Sequence, residues 1–284
     1  MRILLTGAGG QVGYELERSL QPLGPVTALG RSRMDLADLD QVRDVIRSLK
    51  PELIVNAAAY TAVDLAESEP ALARRINAEA PDVMAQEARK LGAAMVHYST
   101  DYVFDGSKAG AYTETDRPNP LNVYGQTKLE GEQAIAAAGI DHLILRTSWV
   151  YGMRGKNFLL TMLRLAKERD ALRVVSDQHG APTWSRTIAD TTAALLARAQ
   201  QEGGNWWQQH GGLYHLASSG QTSWAGFTEE IMNLQKMGCA VVPIGSAEYP
   251  SAARRPQNSV LDCARLQALC ALPDWRDALA LCLK

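Results

Sequence analysis

The sequence predicts an α/β fold in which helices cover both faces of a parallel, doubly wound sheet. Short apolar runs alternate with helix-period stretches from residue 2 to residue 146, which is typical of repeated βα units. A glycine-rich turn follows the first apolar run. The chain has 284 residues, 46% hydrophobic and 21% charged, enough for one large or two modest domains with a real core.

The first predicted unit is a strand, a glycine turn and a helix. Residues 2–6 are apolar, and Gly7, Gly10 and Gly13 precede an amphipathic stretch that runs to residue 20. The first glycine permits a tight turn, the second lets the backbone approach a pyrophosphate, and the third lets the helix pack close to its strand. A pyrophosphate would bind the amide groups at the helix N-terminus. This context predicts a Rossmann-type dinucleotide site.

The second predicted strand, residues 26–30, bears on the choice of dinucleotide. A site specific for NAD usually carries an acidic residue there to bind the ribose hydroxyls. Here Gly30 is followed by Arg31, Ser32 and Arg33. Guanidinium groups suit a 2′-phosphate, so the sequence predicts that NADP(H) is accepted or preferred. The alternative is that both arginines are solvated loop residues.

Two further strands are predicted to end at the same edge of the sheet. Residues 39–49 form a helix, residues 53–56 the third strand, and the small residues 57–59 after it leave room for a flat cofactor. About 30 helical residues follow, interrupted at Pro70 and Pro81. Residues 93–98 form the next strand, which places Thr100 just beyond its carboxyl end, where working groups of open α/β sheets lie.

Tyr124 and Lys128 are the candidate catalytic pair. They lie four residues apart in a predicted helix, whose start is prepared by two prolines and two asparagines within residues 118–128 and which ends at Gly139, so they share one face. A nearby ammonium is expected to lower the pKa of the phenol, which could then protonate a carbonyl that is being reduced. The Thr100 hydroxyl could bind the same oxygen. The alternative is a half-exposed tyrosine beside a solvated lysine.

The pattern changes after the strand at residues 142–146. Helices are predicted at residues 158–168, at 185–201 with Ser185 as its cap, and at 224–237; strands are predicted at 172–176 and 213–216. Residues 201–212, with Trp206 and Trp207, are predicted to form a polar surface loop. We expect a dinucleotide-binding domain over residues 1–150. A mainly substrate-binding domain would cover 151–284, with segments near 170–215 crossing back to the first lobe.

Composition argues against several classes of protein. The net charge is −2 without a basic run, so wholesale nucleic-acid binding is not expected. No apolar run approaches the roughly 20 residues of a membrane span, and the N-terminus lacks the pattern of a signal peptide. The four cysteines form no close pair and the five histidines do not cluster. We therefore expect a cytoplasmic protein with reduced thiols and no metal site.

These motifs together resemble the extended short-chain dehydrogenase/reductase superfamily, which the glycine turn, Thr100, Tyr124 and Lys128 match in order and spacing. Longer blocks are similar to the dTDP-4-dehydrorhamnose reductase family, and they cover residues 4–13, 57–64, 99–106, 146–152, 178–183 and 255–259. The resemblance implies hydride transfer from NADPH or NADH to the C4 ketone of dTDP-4-dehydro-L-rhamnose. That reaction is the last step of dTDP-L-rhamnose synthesis.

The resemblance also implies roles for individual residues. Thr100, Tyr124 and Lys128 would be catalytic, with Lys128 also holding the nicotinamide ribose. The cofactor would contact Gly7, Gly10, Gln11, Val12, Gly13, Gly30, Arg31, Asp35, Leu36, Ala57, Ala59, Tyr60, Thr61, Tyr124 and Lys128. The sugar nucleotide would contact Thr100, Asp101, Trp149, Lys156 and Arg255, the last two as candidates for its diphosphate.

Two other functions remain open on sequence alone. One is a nucleotide-sugar epimerase or dehydratase with tightly held NAD, although related dehydratases place an Asp-Glu pair where this chain has Asp101-Tyr102. The other is a non-catalytic regulatory subunit on the same fold. Some relatives dimerise through Mg²⁺, but the required acids are not matched after Pro182-Thr183. The oligomeric state is left as monomer or homodimer.

Overall fold

A six-stranded parallel sheet forms the centre of the protein in a computed structural model that describes residues 1–284. Its strand order is β2-β1-β3-β4-β5-β10. The strands of the protein are β1 Ile3–Thr6, β2 Val26–Leu29, β3 Leu53–Asn56, β4 Ala94–Thr100, β5 His142–Thr147, β6 Val150–Tyr151, β7 Ala171–Val175, β8 His179–Gly180, β9 Thr183–Trp184, β10 Gly212–His215, β11 Thr222–Ser223 and β12 Ala240–Ile244.

Helices cover both faces of this sheet because alternate strand residues point to opposite sides. In β1, Ile3 and Leu5 join one apolar layer while Leu4 joins the other. None of the helices is both long and apolar enough to cross a membrane. The helices are α1 Gln11–Ser19, α2 Leu39–Leu49, α3 Val63–Ala66, α4 Pro70–Arg74, α5 Ala80–Leu91, α6 Val123–Ala137, α7 Phe158–Glu168, α8 Ser185–Glu202, α9 Gly204–His210, α10 Trp224–Gln235, α11 Ala264–Gln267 and α12 Trp275–Cys282.

The strand order creates a crevice at the carboxyl ends of β1 and β3. From β1 the chain passes to β2 on one side and then returns to add β3 on the other side. Ligands of open α/β sheets bind where the connections diverge in this way. The predicted doubly wound α/β fold is therefore confirmed, and it places the glycine turn at this crevice.

A smaller lobe is built from three two-stranded sheets, β7 with β12, β8 with β11, and β6 with β9. Its core contains the buried aromatic side chains of Tyr151, Phe227 and Trp275. Two later segments join the first lobe instead: β10 extends the main sheet, and α8 contributes to the apolar layer beside α1. The domain boundary at residue 150 stays a prediction.

Three local predictions are wrong. Residues 204–210 form α9 rather than a surface loop, and the side chain of Trp206 is 0% exposed in the main core. Ser185 is the first residue of α8 and makes no capping hydrogen bond, because Trp184 occupies the cap position. Pro81 does not interrupt its helix, because it lies in the first turn of α5 after a π-helical turn over Arg75–Glu79.

Candidate active site

A cavity of about 900 Å³ lies at the carboxyl edge of the central sheet and brings most of the predicted site residues together. Gly13 and Arg255 are the predicted site residues that do not line it. The predicted residues that line it are Gly7, Gly10, Gln11, Val12, Gly30, Arg31, Asp35, Leu36, Ala57, Ala59, Tyr60, Thr61, Thr100, Asp101, Tyr124, Lys128, Trp149 and Lys156.

The glycine turn is packed so tightly that side chains are excluded at two positions. Gly7 has φ +71°, and a Cβ there would lie 2.7 Å from the backbone nitrogen of Ala58. A Cβ at Gly13 would lie only 2.1 Å from the carbonyl oxygen of Gly7, so α1 could not pack this close to β1. Gly9, on the cavity side, has no atom within 4 Å of its Cβ position. This cradle fits a pyrophosphate on the N-terminus of α1.

The end of β2 carries the residues that bear on nucleotide choice. Arg31 is 77% exposed and its Nε lies 3.3 Å from a carboxylate oxygen of Asp35. The other Asp35 oxygen accepts a 3.0 Å hydrogen bond from the backbone of Ala37. Asp35 is thus held in the turn, and the Arg31 guanidinium stands at the cavity rim, where a 2′-phosphate could reach it.

The segment after β4 presents a hydroxyl and a carboxyl side by side. Thr100 Oγ1 donates to Asp101 at 3.1 Å and accepts from the backbone nitrogen of Tyr102, also at 3.1 Å. Ser148 Oγ donates to the second Asp101 oxygen at 3.0 Å. Burial raises the pKa of Asp101 to about 6, although these hydrogen bonds act against the increase.

Tyr124 is held at the start of α6. Asn122 caps this helix by accepting a 2.8 Å hydrogen bond from the backbone nitrogen of Gly125. The Tyr124 ring meets the edge of the Tyr102 ring, with 5.8 Å between centroids. Burial raises the pKa of Tyr124 to about 12, while the nearby Thr100 hydroxyl acts in the opposite direction. The prediction of an unusually acidic phenol is therefore wrong for this arrangement.

The position of Lys128 explains that correction. The side chain is fully buried, and its Nζ donates to the carbonyl oxygen of Tyr98 at 2.5 Å and lies 3.1 Å from His97 Nε2. The amino end of this side chain is therefore engaged with β4 rather than with the phenol. Burial lowers the pKa of Lys128 to about 8, against the opposing effect of Glu132.

Two stacked indoles form part of the cavity wall. The rings of Trp149 and Trp224 are nearly parallel, with centroids 3.5 Å apart. Trp149 has an unusual positive φ of 46°, and its ring covers Gly180, where a Cβ would lie 2.5 Å from Cε2. Gln178 accepts a 3.2 Å hydrogen bond from Trp224 Nε1. The wall is thus preorganised to receive an apolar face of a ligand.

The two candidate diphosphate residues lie in different places. Lys156 is exposed and lines the main cavity. Arg255 lines a second cavity of about 660 Å³ and binds Asp64 with both terminal nitrogens, at 3.1 and 2.7 Å. Asp64 therefore already neutralises Arg255, whose assignment to a diphosphate stays a prediction.

The sequence reading missed several buried polar residues of the site. Asn77 pins the 57–61 segment to α6, because its Nδ2 donates to the carbonyl oxygen of Tyr60 and to Thr127 Oγ1 at 3.1 and 3.2 Å. The hydroxyls of Ser99 and Thr147 are buried without a hydrogen-bond partner and belong to residues that line the cavity. The available signal was a histidine and three residues with hydroxyl groups in the otherwise apolar 94–100 strand.

No metal site is found in this chain. No group of three or more His, Cys, Asp or Glu side chains lies close enough together to hold an ion. Arg186, which follows the Pro182-Thr183 motif, instead pairs with Asp190 at 3.2 Å and Glu15 at 3.9 Å. Mg²⁺ therefore stays a prediction with no site assigned to it.

Comparisons with known proteins agree with this geometry. A dTDP-4-dehydrorhamnose reductase of Burkholderia thailandensis is 50% identical over 296 residues, covering 100% of this chain and 98% of the relative. The enzyme of that name from Escherichia coli K12 is 45% identical over 288 residues, covering 97% and 95%.

Solved structures extend the comparison to the fold. The Bacillus anthracis dTDP-4-dehydrorhamnose reductase in complex with NADP has a TM-score of 0.90 and 34% identity, covering 99% of this chain and 98% of that one. A Thermus thermophilus UDP-glucose 4-epimerase with NAD, at 19% identity and a TM-score of 0.83, shares the fold alone. Residues 1–284 match the family described as RmlD substrate binding domain. The chain therefore belongs to this family, that of the dTDP-4-dehydrorhamnose reductases.

Proposed function

We propose that this protein reduces the C4 ketone of dTDP-4-dehydro-L-rhamnose to the alcohol of dTDP-L-rhamnose with NADPH. The observation that carries the proposal is the shared cavity, in which the glycine cradle and the Thr100, Tyr124 and Lys128 side chains face one space. Full-length relatives at 50% and 45% identity carry the name of this activity, and the solved relative from Bacillus anthracis is bound to NADP.

The dinucleotide would be held by the glycine cradle, the Arg31 rim and the small residues 57–59. When bound, it supplies the hydride that reaches the ketone carbon. The chain's own task is then to orient the sugar, to exclude water and to protonate the ketone oxygen. The Trp149 and Trp224 plates provide the apolar wall for the first two of these tasks.

Tyr124 supplies the proton in this proposal. A phenol with a pKa of about 12 stays fully protonated at neutral pH, which is the form that a reductase needs before the reaction. The oxygen that forms on the sugar is an alkoxide, which is more basic than a phenolate, so proton transfer from Tyr124 is downhill. Thr100 binds the same oxygen, and Lys128 balances the phenolate charge that remains.

Replacement of Tyr124 by phenylalanine tests the proposal. We expect NADPH oxidation with the dTDP-4-keto sugar to fall at least about 10²-fold in kcat, because the proton donor is lost while the ring remains. NADPH binding, measured by fluorescence titration, should stay within about threefold, since the glycine cradle is untouched. An unchanged kcat would exclude Tyr124 as the proton donor.

A further inference from the structure

A row of buried polar side chains crosses the central sheet and ends at Lys128. Thr6, Asn56 and His97 lie directly opposite one another on β1, β3 and β4. Their exposed fractions are 1%, 1% and 0%. Burying such groups is costly unless they are hydrogen-bonded, so the bonds within the row must form a complete and consistent set.

The hydrogen bonds of the row determine where the proton of His97 sits. Thr6 Oγ1 accepts from the backbone nitrogen of Ala58 at 3.3 Å and donates to Asn56 Oδ1 at 2.6 Å. Asn56 therefore presents its Nδ2, a donor, to His97 Nδ1 at 3.0 Å. The Nδ1 atom must accept, so the proton of the neutral ring is on Nε2.

That tautomer has a consequence for Lys128. His97 Nε2–H points at Lys128 Nζ, 3.1 Å away, and only a neutral amine has a lone pair to accept it. The amine can still donate to the carbonyl oxygen of Tyr98. An ammonium would instead require Nε2 to accept, which places the ring proton on Nδ1 and requires the Asn56 amide to turn by half a rotation. The arrangement with the amine and the arrangement with the ammonium differ by one proton, which Lys128 carries in the second of them.

Other charged groups near His97 and Lys128 do not remove the link between the charge of Lys128 and the tautomer of His97. Lys128 is the charged group that acts on His97, and burial keeps the His97 pKa well below its usual value, so the ring is neutral in both arrangements. Glu132 acts on Lys128 from the same helix, but Arg146 of β5 neutralises it at 2.9 and 2.7 Å. The other titratable residues that line the cavity are Arg31, Asp35, Tyr60, Tyr98, Asp101, Tyr102, Tyr124 and Lys156.

We propose that the Thr6–Asn56–His97 row is the positioning device that sets whether Lys128 is an amine or an ammonium, through the His97 tautomer and the Asn56 amide orientation. Its part in turnover rests on the proposed reductase function. After Tyr124 protonates the sugar oxygen, the Lys128 ammonium returns one proton to the phenolate through water, since its Nζ bonds to β4 and not to the phenol, and becomes the amine that the row accommodates. His97 then takes up one solvent proton at Nδ1 and passes its Nε2 proton to the Lys128 amine, so that Lys128 is again an ammonium and the ring again carries a single proton, now on Nδ1.

The tautomer can be read directly in the purified protein without cofactor or substrate. Protein labelled with ¹⁵N-histidine is followed by long-range ¹H–¹⁵N NMR from about pH 6 to about pH 10, with His97 assigned by its loss in His97→Gln. We expect His97 to change from the Nδ1–H to the Nε2–H tautomer as pH rises through the titration of Lys128, without becoming charged. A single tautomer over this range overturns the proposal.

Variants of the row sharpen the test. Asn56→Asp offers acceptors on both sides, so His97 should stay in the Nδ1–H form up to the highest pH. Thr6→Val removes the group that orients Asn56, and should populate the Nδ1–H form at high pH. Thr192→Val is the matched control: it removes another buried hydroxyl, which bonds Tyr98 on the same strand at 2.8 Å, and should leave the tautomer unchanged.

The kinetic consequence separates the row from the reductase function. If both proposals hold, Asn56→Asp shifts the alkaline limb of kcat/KM upward by at least about one pH unit, because Lys128 stays an ammonium for longer. The His97 tautomer could change with pH while the alkaline limb of kcat/KM is the same in Asn56→Asp and wild type. That result would refute the role of Lys128 in turnover but would support the proposed function of the row. Equal tautomers in wild type, Asn56→Asp and Thr6→Val would refute the row itself.

Discussion

Gly13 offers the sharpest test of how the fold builds the cofactor site. The alanine methyl group of Gly13→Ala would lie 2.1 Å from the carbonyl oxygen of Gly7 and 2.6 Å from its carbonyl carbon. Both atoms belong to the backbone, so no side chain can turn aside to make room. Either α1 must move away from β1 or the glycine turn must open, and both movements displace the amide groups of Gln11 and Val12 that line the cavity.

The size of the effect follows from this contact. Overpacking of a well-packed site costs about 1–3 kcal/mol, which for a chain of this size lowers the Tm by roughly 3–10 °C. Displaced amide groups should raise the KM for NADPH at least about tenfold, because the pyrophosphate loses hydrogen bonds that depend on the turn. The assay is a thermal melt followed by steady-state kinetics with varied NADPH.

Gly9→Ala is the matched control within the same turn. No atom lies within 4 Å of the Cβ position at Gly9, and its backbone does not require positive φ. We expect its unfolding free energy to stay within about 0.5 kcal/mol of wild type. A Gly13→Ala protein with wild-type Tm and KM would refute the reasoning, as would equal losses in both variants.

Three other predictions address packing, charge and the substrate wall. Trp206→Ala should lower the free energy of unfolding, measured with urea, by about 3–5 kcal/mol, because its side chain is fully buried. Replacement of the half-buried Trp207 by alanine should lower it by less than half as much. Equal losses in the two variants would contradict the burial of Trp206 in α9. The pKa of Glu87 is lowered to about 2 by its arginine and lysine partners, so its charge adds stability above about pH 4.5 and that contribution fades as pH falls. Glu87→Gln should therefore cost about 1–2 kcal/mol at pH 7, with a gap to wild type that narrows from about pH 5 to about pH 3 in unfolding measurements; a constant gap would exclude the charge as the cause. The Cβ of Gly180→Ala would lie 2.5 Å from the indole of Trp149 and should displace that ring from its stack. In steady-state kinetics, we expect the KM for the sugar nucleotide to rise about tenfold and the KM for NADPH to stay unchanged. A rise in both KM values would refute a local effect.

Local patterns were sufficient to predict the parts of the fold that depend on neighbouring residues. The strand, glycine turn and helix at residues 3–19 are specified within one short segment, since hydrophobic period and glycine spacing act over a few residues. The same holds for the start of α6, which the two prolines and two asparagines within residues 118–128 predict and which Asn122 caps in the structure. The fold class and the edge of the sheet that carries the site follow from the repetition of such units.

The burial of Trp206 in α9 was not predicted because it depends on long-range packing. The Gly203-Gly204 pair and the polar residues around Trp206 are typical of a loop, yet the apolar layer between α1 and α8 gives that indole a buried position. Burial outweighs the local preference because a buried tryptophan stabilises the fold by more than glycine in a short helix costs.

Helix α6 shows the same contrast between local pattern and long-range contacts within the candidate site. The four-residue spacing of Tyr124 and Lys128 correctly predicts two side chains on one face of α6, but not the partner of the ammonium, which is set by strands from distant parts of the chain. The sequence predicted a single feature, an acidic phenol, whereas two separate features act in the structure. Burial keeps the phenol protonated and ready to donate, and the row from β1 to β4 controls the charge of the lysine that must restore it. A reductase needs the protonated phenol because a donor that is already ionised at neutral pH cannot protonate its substrate. It needs the lysine because the phenolate must regain its proton before the next turnover.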